Sequence, residues 1–273
     1  MSHRARKRFG QHFLHDQSVI DWILAAINPQ PDQHLVEIGP GKGALTSRLL
    51  PRCRRLDIIE LDRDLVTLLR NRFAGDDRLS IHSADALRFD FSRLRSADEK
   101  LRLIGNLPYN ISTPLLFHLV EHRHCIADMH FMLQKEVVDR LSAGPGGKRY
   151  GKLSVMIQYH YQVEHLFDVP AEHFEPKPKV LSAIVRLIPH KTPPVIVDSL
   201  NMLQQVVTQA FSHRRKNLRN ALRPLFSETE MKALNIDPTA RAETLGLEAF
   251  ARLSNYKSKN SAGNNPNSRI IHH

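Results

Sequence analysis

The sequence predicts an α/β protein in which a doubly wound parallel sheet is followed by a small all-helical domain. Two observations lead to this fold class. Short apolar segments typical of strands alternate with segments of helical periodicity as far as Ser142, whereas beyond residue 195 only helical periodicity remains. Regular alternation of strands and helices is the pattern of a parallel sheet covered by helices.

The predicted elements follow one another with short connections. The first is a helix over 19–27, where apolar residues recur at helical spacing behind Asp16 as the N-cap. We expect strands at 35–38, 56–59, 79–82, 101–104 and 129–133, and helices at 44–50, 65–72, 115–121 and 136–142. Segments 155–161 and 180–187 have no helix between them, so we expect them to close the sheet as a hairpin pair.

A linker with two prolines at 190–194 predicts a boundary between two domains. Helical spacing resumes at Leu200, and Ser227 with Glu230 forms a capping-box pattern. The segment 245–253 indicates a further helix. We therefore expect a sheet domain over 1–190, a small helical domain over 195–256, and a disordered tail rich in Asn and Ser over 257–273.

The composition predicts a polyanionic partner. The chain of 273 residues carries 39 Lys and Arg against 28 Asp and Glu, which gives a net charge of +11. A surplus of this size is typical of proteins that bind nucleic acid or an anionic membrane surface. However, no segment approaches the roughly 20 apolar residues that span a bilayer. No signal-peptide pattern is present either, so we expect a cytoplasmic protein without a membrane partner.

Neither a disulfide framework nor a metal site is expected. Cys53 and Cys125 lie far apart and belong to no paired motif. His118 and His122 have the i, i+4 spacing of two ligands on a helix, but the neighbouring acid is Glu121, which does not fit the metalloprotease arrangement.

A glycine-rich loop follows the first predicted strand. Gly39, Gly41 and Gly43 stand in the pattern G-x-G-x-G and open the next helix. Glycines at this point of a doubly wound sheet allow the backbone to approach a ligand. The spacing differs from that of dinucleotide-binding loops, and Gly43 after Lys42 does not fit a phosphate-binding loop. Taken alone, the loop is equally consistent with a plain turn.

Polar side chains end the next three predicted strands. Glu60 lies 21 positions after Gly39, close to the roughly 20 expected of a carboxylate that binds ribose hydroxyls. Asp85 follows the third strand, where it could accept a hydrogen bond from an adenine amino group, and Asn106 follows the fourth. Each acid alone is also consistent with a solvated loop, but the row of four strand ends favours a nucleoside ligand.

The tetrapeptide Asn106-Leu107-Pro108-Tyr109 combines an amide, a prolyl break and an aromatic ring. The exocyclic amine of a nucleobase needs such a combination, because its lone pair is delocalised into the ring. Hydrogen-bond acceptors must hold the amine before its nitrogen can act as a nucleophile. The side-chain carbonyl of Asn106 and a backbone carbonyl freed at Pro108 could accept, while Tyr109 stacks on the base. An ordinary turn is the alternative, since Asn and Pro are common turn residues.

Four motifs together resemble the small-subunit ribosomal RNA adenine dimethyltransferase family. They lie at 6–14, 37–41, 106–110 and 174–180, and the resemblance covers nearly the whole chain. It implies a Rossmann-like methyltransferase sheet and S-adenosylmethionine as cofactor. The implied reaction is dimethylation at N6 of two adjacent adenines of small-subunit ribosomal RNA during ribosome biogenesis. The implied partner is the immature small subunit, and the enzyme is expected to be a monomer whose helical domain docks RNA.

The resemblance also assigns the site residues. Those expected to contact the methyl donor are His12, Leu14, Gly39, Gly41, Glu60, Asp85 and Asn106. Asn106 and Pro108 would position the target amine, and Phe174 would stack on the flipped adenine with Tyr109 nearby. The sequence departs from the family at His12, where Asn is frequent, although imidazole can also donate and accept hydrogen bonds.

Two basic clusters are expected to contact RNA phosphates. The first contains Arg6, Lys7 and Arg8, and the second contains Arg214, Arg215, Lys216 and Arg219. A solvated helix face is the usual alternative for such a run, but the net charge favours RNA.

Three other functions remain open. A large-subunit ribosomal RNA adenine methyltransferase would bind its cofactor in the same way, although the intact motifs at 9–14 and at Phe174 disfavour this function. A non-catalytic RNA-binding assembly or transcription factor would not need intact Glu60, Asp85 and Asn106. A nicotinamide dehydrogenase is disfavoured by the glycine spacing.

Overall fold

The computed structural model of the chain describes residues 11–95, 99–213 and 215–263. Four residues predicted to contact RNA lie outside these ranges, namely Arg6, Lys7, Arg8 and Arg214. The chain divides into two compact units. The first extends to Asp139 and includes Tyr161–Pro189, whereas the second contains Arg140–His160 and the chain from His190 onwards. The sequence predicted a single boundary near residue 190, whereas the structure groups residues 140–160 with the C-terminal helices.

The first unit contains nine strands and five α-helices among the described residues. Its strands are β1 (Phe13–Leu14), β2 (His34–Ile38), β3 (Arg55–Glu60), β4 (Leu79–Ser83), β5 (Leu101–Asn106), β6 (Ile126–Gln134), β7 (Tyr161–Val169), β8 (Phe174–Glu175) and β9 (Ser182–Pro189). Its helices are α1 (Gln17–Ile27), α2 (Thr46–Leu49), α3 (Arg63–Arg72), α4 (Ser112–Glu121) and α5 (Lys135–Leu141), the last of which runs into the second unit.

Seven strands form one sheet in the order β4-β3-β2-β5-β6-β9-β7. The five strands from β4 to β6 are parallel, while β9 is antiparallel to both β6 and β7. The order reverses between β2 and β5, which is where ligands bind in open α/β sheets. The predicted doubly wound sheet is therefore confirmed, with an antiparallel pair at one edge.

The predicted N-terminal helix and its cap are also confirmed. Asp16 accepts hydrogen bonds from the backbone N–H groups of Ser18 and Val19, which satisfies two of the free donors at the start of α1. Five apolar residues of α1 are buried in the core that also contains Leu35, Leu56 and Ile104 of the sheet, namely Val19, Ile20, Ile23, Leu24 and Ile27. Amphipathic spacing thus predicted the helix because one of its faces packs on the strands.

Gly105 lies in β5 against the backbone of Ile38 at the end of β2. A Cβ atom built on it would lie 2.5 Å from the backbone oxygen of Ile38 and 2.9 Å from the Leu107 side chain. The absence of a side chain at Gly105 therefore lets the two strands pair at the switch point, next to Asn106.

The prediction of a strand over 155–161 is wrong. Residues Lys152–His160 form helix α6, and the strand that pairs with β9 begins only at Tyr161. Val155, Met156, Ile157 and Tyr159 are all buried, so the segment is apolar on several faces of the helix. A short continuous apolar run does not distinguish a buried strand from a buried helix, which explains the error.

The second unit is helical within the described residues. It contains α6 (Lys152–His160), α7 (Leu200–Ala210), α8 (Leu218–Ala221), α9 (Glu228–Ala233) and α10 (Leu247–Gly263). The capping box of Ser227 and Glu230 is present at the start of α9, as predicted. Helix α10 continues beyond Lys257, where a disordered tail was expected to begin, and residues 264–273 lie outside the described part of the chain.

No helix in the described ranges has both the length and the apolar composition needed to cross a membrane.

Candidate active site

A cavity of about 770 Å³ lies at the carboxyl ends of β2, β3, β4 and β5. Nine of the residues predicted to bind the donor or the target line it: His12, Leu14, Gly39, Gly41, Glu60, Asp85, Asn106, Pro108 and Tyr109. The cavity is of the size used by drug-sized ligands and cofactors. The row of polar strand ends predicted from the sequence thus comes together in space.

The segment 11–15, here called the N-terminal strap, covers one side of the cavity. It is held by antiparallel pairing of β1 with β8, in which Phe13 is opposite Glu175 and Leu14 opposite Phe174. The ring Nδ1 of His12 lies 2.6 Å from the carbonyl oxygen of Pro176. These contacts link two motifs that are about 160 residues apart in the sequence.

Asn106 is oriented by the strap. Its amide nitrogen donates a hydrogen bond of 2.9 Å to the backbone carbonyl of His12. Only the nitrogen end of an amide can donate to a carbonyl, so this contact fixes which way the amide points. The side-chain oxygen of Asn106 is then the atom left to accept from a ligand.

The carbonyl of Pro108 is not freed by the turn, contrary to the expectation. It accepts hydrogen bonds from the N–H of Ile111 at 3.1 Å and the hydroxyl of Ser112 at 3.2 Å, at the start of α4. These two bonds use both lone pairs of the Pro108 carbonyl. The neighbouring Leu107 also lines the cavity, and its carbonyl accepts no hydrogen bond from any described residue.

Tyr109 presents an aromatic face at the cavity. Its ring stacks with that of His12, with centroids 5.7 Å apart and planes inclined by 26°. Its hydroxyl lies 2.7 Å from that of Ser182, and burial raises the pKa of the Tyr109 phenol. Tyr109 is therefore held as a neutral phenol near neutral pH.

The glycine loop needs glycine at all three positions of the motif, since Gly43 also has a positive φ, of 82°. Gly39 and Gly41 have φ values of 67° and 57°, in the left-handed region that favours glycine. A Cβ atom on Gly41 would also lie 2.9 Å from the Phe13 ring of the strap. The Phe13 ring of the strap therefore packs directly against the backbone of the loop.

Two buried carboxyl groups face the cavity. Burial raises the pKa of Glu60 from 4.5 to about 7, although hydrogen bonds from the backbone N–H groups of Asp62 and Gly41 act against the shift. Burial likewise raises the pKa of Glu37 to about 7, opposed by the Thr46 hydroxyl, which donates to Glu37 at 2.6 Å. Glu37 was not among the predicted site residues, although its place directly before the glycine loop was a usable signal.

The third acid, Asp85, is held by its own loop. One of its carboxylate oxygens accepts from the backbone N–H of Leu87 at 3.0 Å. This contact keeps the carboxylate at the cavity wall, at the end of β4.

The comparisons with known proteins identify the family. The family model described as ribosomal RNA adenine dimethylase matches residues 2–259. The chain belongs to this family. The dimethylase is therefore an enzyme that uses S-adenosylmethionine to form dimethyladenosine in ribosomal RNA.

Curated relatives agree with the family. A protein of Pseudomonas aeruginosa named ribosomal RNA small subunit methyltransferase A is 58% identical over 253 residues, which are 93% of this chain and 94% of that protein. A protein of the same name from Saccharophagus degradans is 56% identical over 253 residues, with the same shares of each chain.

Two solved structures have similar folds. The crystal structure of a dimethyladenosine transferase from Plasmodium falciparum matches with a TM-score of 0.78 and 25% identity, over 90% of this chain and 98% of that one. The 23S rRNA methyltransferase ErmE matches with a TM-score of 0.70 and 25% identity, over 89% of this chain and 98% of that one.

The volume and the charged lining of the cavity suit S-adenosylmethionine. The donor carries a positive sulfonium and a positive ammonium, and a cavity lined by four acidic residues suits a ligand with cationic groups. The positive φ values of Gly39 and Gly41 leave backbone rather than side chains at the cavity wall. Glu60 and Asp85, at neighbouring strand ends, offer acceptors of the kind that ribose hydroxyls and an adenine amino group require.

Replacing Glu60 should weaken donor binding. We expect Glu60→Ala to weaken the binding of S-adenosylmethionine by about 1–3 kcal/mol, which is the usual cost of leaving a buried polar group without its hydrogen-bond partner. Isothermal calorimetry on the folded variant measures this, with Glu121→Gln, an exposed acid that does not line the cavity, as the control. Unchanged affinity in Glu60→Ala would remove Glu60 from the donor site.

The raised pKa values also predict a pH dependence. The donor-free protein holds protons on Glu37 and Glu60 between pH 4.5 and about 7 that the unfolded chain has released. Its free energy of unfolding should therefore fall as the pH rises through this window. Donor affinity should rise over the same range, because the ionised carboxylates face a cationic ligand. Glu60→Gln should flatten both profiles.

Phe174 is placed differently from the other predicted residues. Its side chain is 2% exposed and belongs to the core formed by α1 and the sheet, and it does not line the cavity. The signal that the sequence offered, an aromatic residue before two prolines, does not separate a stacking ring from a core ring. Stacking on a base stays a prediction, since it would require the ring to leave this core.

The described basic residues of the second cluster are exposed to solvent. The side chains of Arg215, Lys216 and Arg219 are all exposed. The guanidinium of Arg219 lies 4.0 Å from the carboxylate of Glu228. They do not share one helix, because residues 211–213 and 215–216 form turns and α8 has only four residues.

Proposed function

We propose that this dimethylase modifies two adjacent adenines of small-subunit ribosomal RNA in the immature small subunit, during ribosome biogenesis. The relatives that support this target are 54–58% identical and carry the small subunit in their name. ErmE, a 23S rRNA methyltransferase, shares the fold at 25% identity. We further propose that the enzyme acts as a monomer in the cytoplasm, where small subunits assemble.

The observation that carries the proposed mechanism is the bond from the Asn106 amide nitrogen to the carbonyl of His12. It holds the Asn106 oxygen at the end of β5, at the cavity wall. When bound, S-adenosylmethionine supplies a methyl group that is already activated by the positive sulfur. The protein therefore has to hold the adenine amine in line, and orientation of this kind can supply a large part of the barrier reduction.

The acceptors act on the target amine. The oxygen of Asn106 accepts a hydrogen bond from one N6–H group, and we propose that the free carbonyl of Leu107, rather than that of Pro108, accepts a hydrogen bond from the other. Two acceptors favour the pyramidal, partly positive nitrogen of the transition state over the flat ground state. The ring of Tyr109 lies beside them and offers a surface for the base. After transfer of the methyl group, the proton leaves to water.

The RNA is held by its phosphates. We propose that Arg215, Lys216 and Arg219 contact the RNA backbone, together with Arg6, Lys7, Arg8 and Arg214, which lie outside the described residues. The exposure of the described three and the net charge of +11 support this. Structured RNA is recognised largely by shape and backbone, which suits a set of exposed cations.

Replacement of this cluster should change the salt dependence of RNA binding. We expect Arg215→Ala, Lys216→Ala and Arg219→Ala together to weaken binding to the substrate RNA. The slope of log K against log salt should fall by about 0.7–0.9 for each phosphate that the variant no longer neutralises. Filter binding across a salt series measures the slope. Donor affinity should stay constant. An unchanged slope would show that these residues form a solvated surface and do not contact RNA phosphates.

The target is tested by transfer of labelled methyl groups. Small subunits that lack the modification, large subunits and naked ribosomal RNA are each incubated with the enzyme, and the product nucleosides are identified. We expect dimethyladenosine at two adjacent positions of the small-subunit RNA. Transfer to large subunits would favour the ErmE-like activity, and binding without transfer would favour an assembly factor.

A further inference from the structure

The cavity contains a cation whose role is not explained by the mechanism above. Among the described residues that line it, Lys42 is the one lysine or arginine. Four acidic residues line the same cavity: Glu37, Glu60, Asp85 and Glu175. An anionic group of a ligand would therefore meet mostly acidic side chains, except beside Lys42.

The position of Lys42 is fixed by the loop and the strap. Its ammonium nitrogen lies 4.8 Å from the centroid of the Phe13 ring, which is the geometry of a cation–π contact. Its backbone carbonyl accepts a hydrogen bond of 2.6 Å from the guanidinium of Arg72. Phe13 in turn packs on Gly41, where no Cβ fits. The ammonium is thus held at the wall without a carboxylate partner within the described part of the chain.

The location of Lys42 indicates which part of the donor it meets. The adenosyl end belongs with Glu60 and Asp85, and the methyl group must lie near Asn106, where the amine is held. The glycine loop and the N-terminal strap line a further part of the wall, which places them against the methionyl arm. That arm carries the single anionic group of S-adenosylmethionine, its carboxylate.

We propose that Lys42 pairs with the methionyl carboxylate of the donor and so selects ligands that carry this group. A carboxylate placed among four acids is disfavoured unless a cation compensates, and a charge-assisted hydrogen bond from an ammonium does so. The cation–π contact with Phe13 keeps the ammonium directed along the wall rather than into solvent. This inference rests on the proposed placement of the donor.

The test compares two ligands that differ only in the carboxylate. Binding of S-adenosylhomocysteine and of its decarboxylated analogue is measured by calorimetry for the wild-type protein and for Lys42→Met, whose side chain keeps the apolar contact with Phe13. We expect Lys42→Met to weaken S-adenosylhomocysteine by about tenfold and the decarboxylated analogue by less than about twofold. Lys42→Arg should keep most of the preference for the carboxylate.

The control is Lys232→Met, which removes an exposed lysine of α9 that does not line the cavity and should change neither affinity. Equal weakening of both ligands by Lys42→Met would overturn the proposal and reduce Lys42 to packing on Phe13. Unchanged binding of both ligands would overturn it as well. Failure of the wild-type protein to bind either ligand would instead overturn the placement of the donor itself.

Discussion

Asn106→Ala should lower the single-turnover rate of methyl transfer by about 10²–10³, the scale found when one preorganised transition-state partner is removed. The substitution removes the oxygen that accepts from the adenine amine, and it also removes the bond to the carbonyl of His12 that orients the amide. RNA affinity should barely change, because it is spread over many phosphates. The rate is measured with saturating donor and substrate subunits.

Two further variants separate these effects. Asn106→Asp keeps an acceptor but places a carboxylate beside the carbonyl of His12, so it should disturb the strap and lower the rate even though a charge near the sulfonium favours donor binding. Asn71→Ala, an exposed position of α3 that does not line the cavity, is the matched control and should leave the rate unchanged. A wild-type rate for Asn106→Ala would contradict the acceptor mechanism.

Gly105→Ala should destabilise the fold by about 3 kcal/mol, at the upper end of the usual effect of overpacking. The added Cβ would lie 2.5 Å from the backbone oxygen of Ile38, and a backbone atom in the middle of the sheet cannot move aside as a side chain does. Separation of β2 from β5 at this point would also displace Asn106. Thermal and urea unfolding measure the stability, and donor affinity should fall with it.

The matched control is Gly144→Ala, because a Cβ at that position meets nothing within 4 Å and its φ is not in the left-handed region. We expect its stability to change by less than about 1 kcal/mol. If Gly105→Ala were as stable as Gly144→Ala, the close approach of the two strands would not constrain the site.

Most of the fold was predictable because the first unit obeys local rules. Strand β2 is buried along its whole length, and three of its five residues are apolar. Burial on both faces is typical of a central strand in a parallel sheet. The cap at Asp16 and the capping box at Ser227 could be predicted directly from residue type and spacing. Helix α6 was missed because its burial removes the amphipathic pattern on which the prediction depended.

Site residues at the ends of strands were predictable from the sequence. Site residues whose positions depend on tertiary packing were less so. Glu60, Asp85 and Asn106 end parallel strands, so sheet geometry alone brings them to one edge. The contacts of His12 with Asn106 and Pro176 arise from pairing between β1 and β8, two strands of two residues each that no periodicity reveals. The burial of Phe174 and the hydrogen bonds of the Pro108 carbonyl also depend on packing.

A structure of the dimethylase with bound S-adenosylhomocysteine tests the proposed donor site and acceptor geometry most directly. We expect the adenosyl group to lie between the strand ends at Glu60 and Asp85, with the sulfur closest to Asn106 and the carboxylate at Lys42. The amide nitrogen of Asn106 should still donate to the carbonyl of His12. A ligand bound elsewhere, or an Asn106 side chain turned away from the sulfur, would contradict the proposed mechanism.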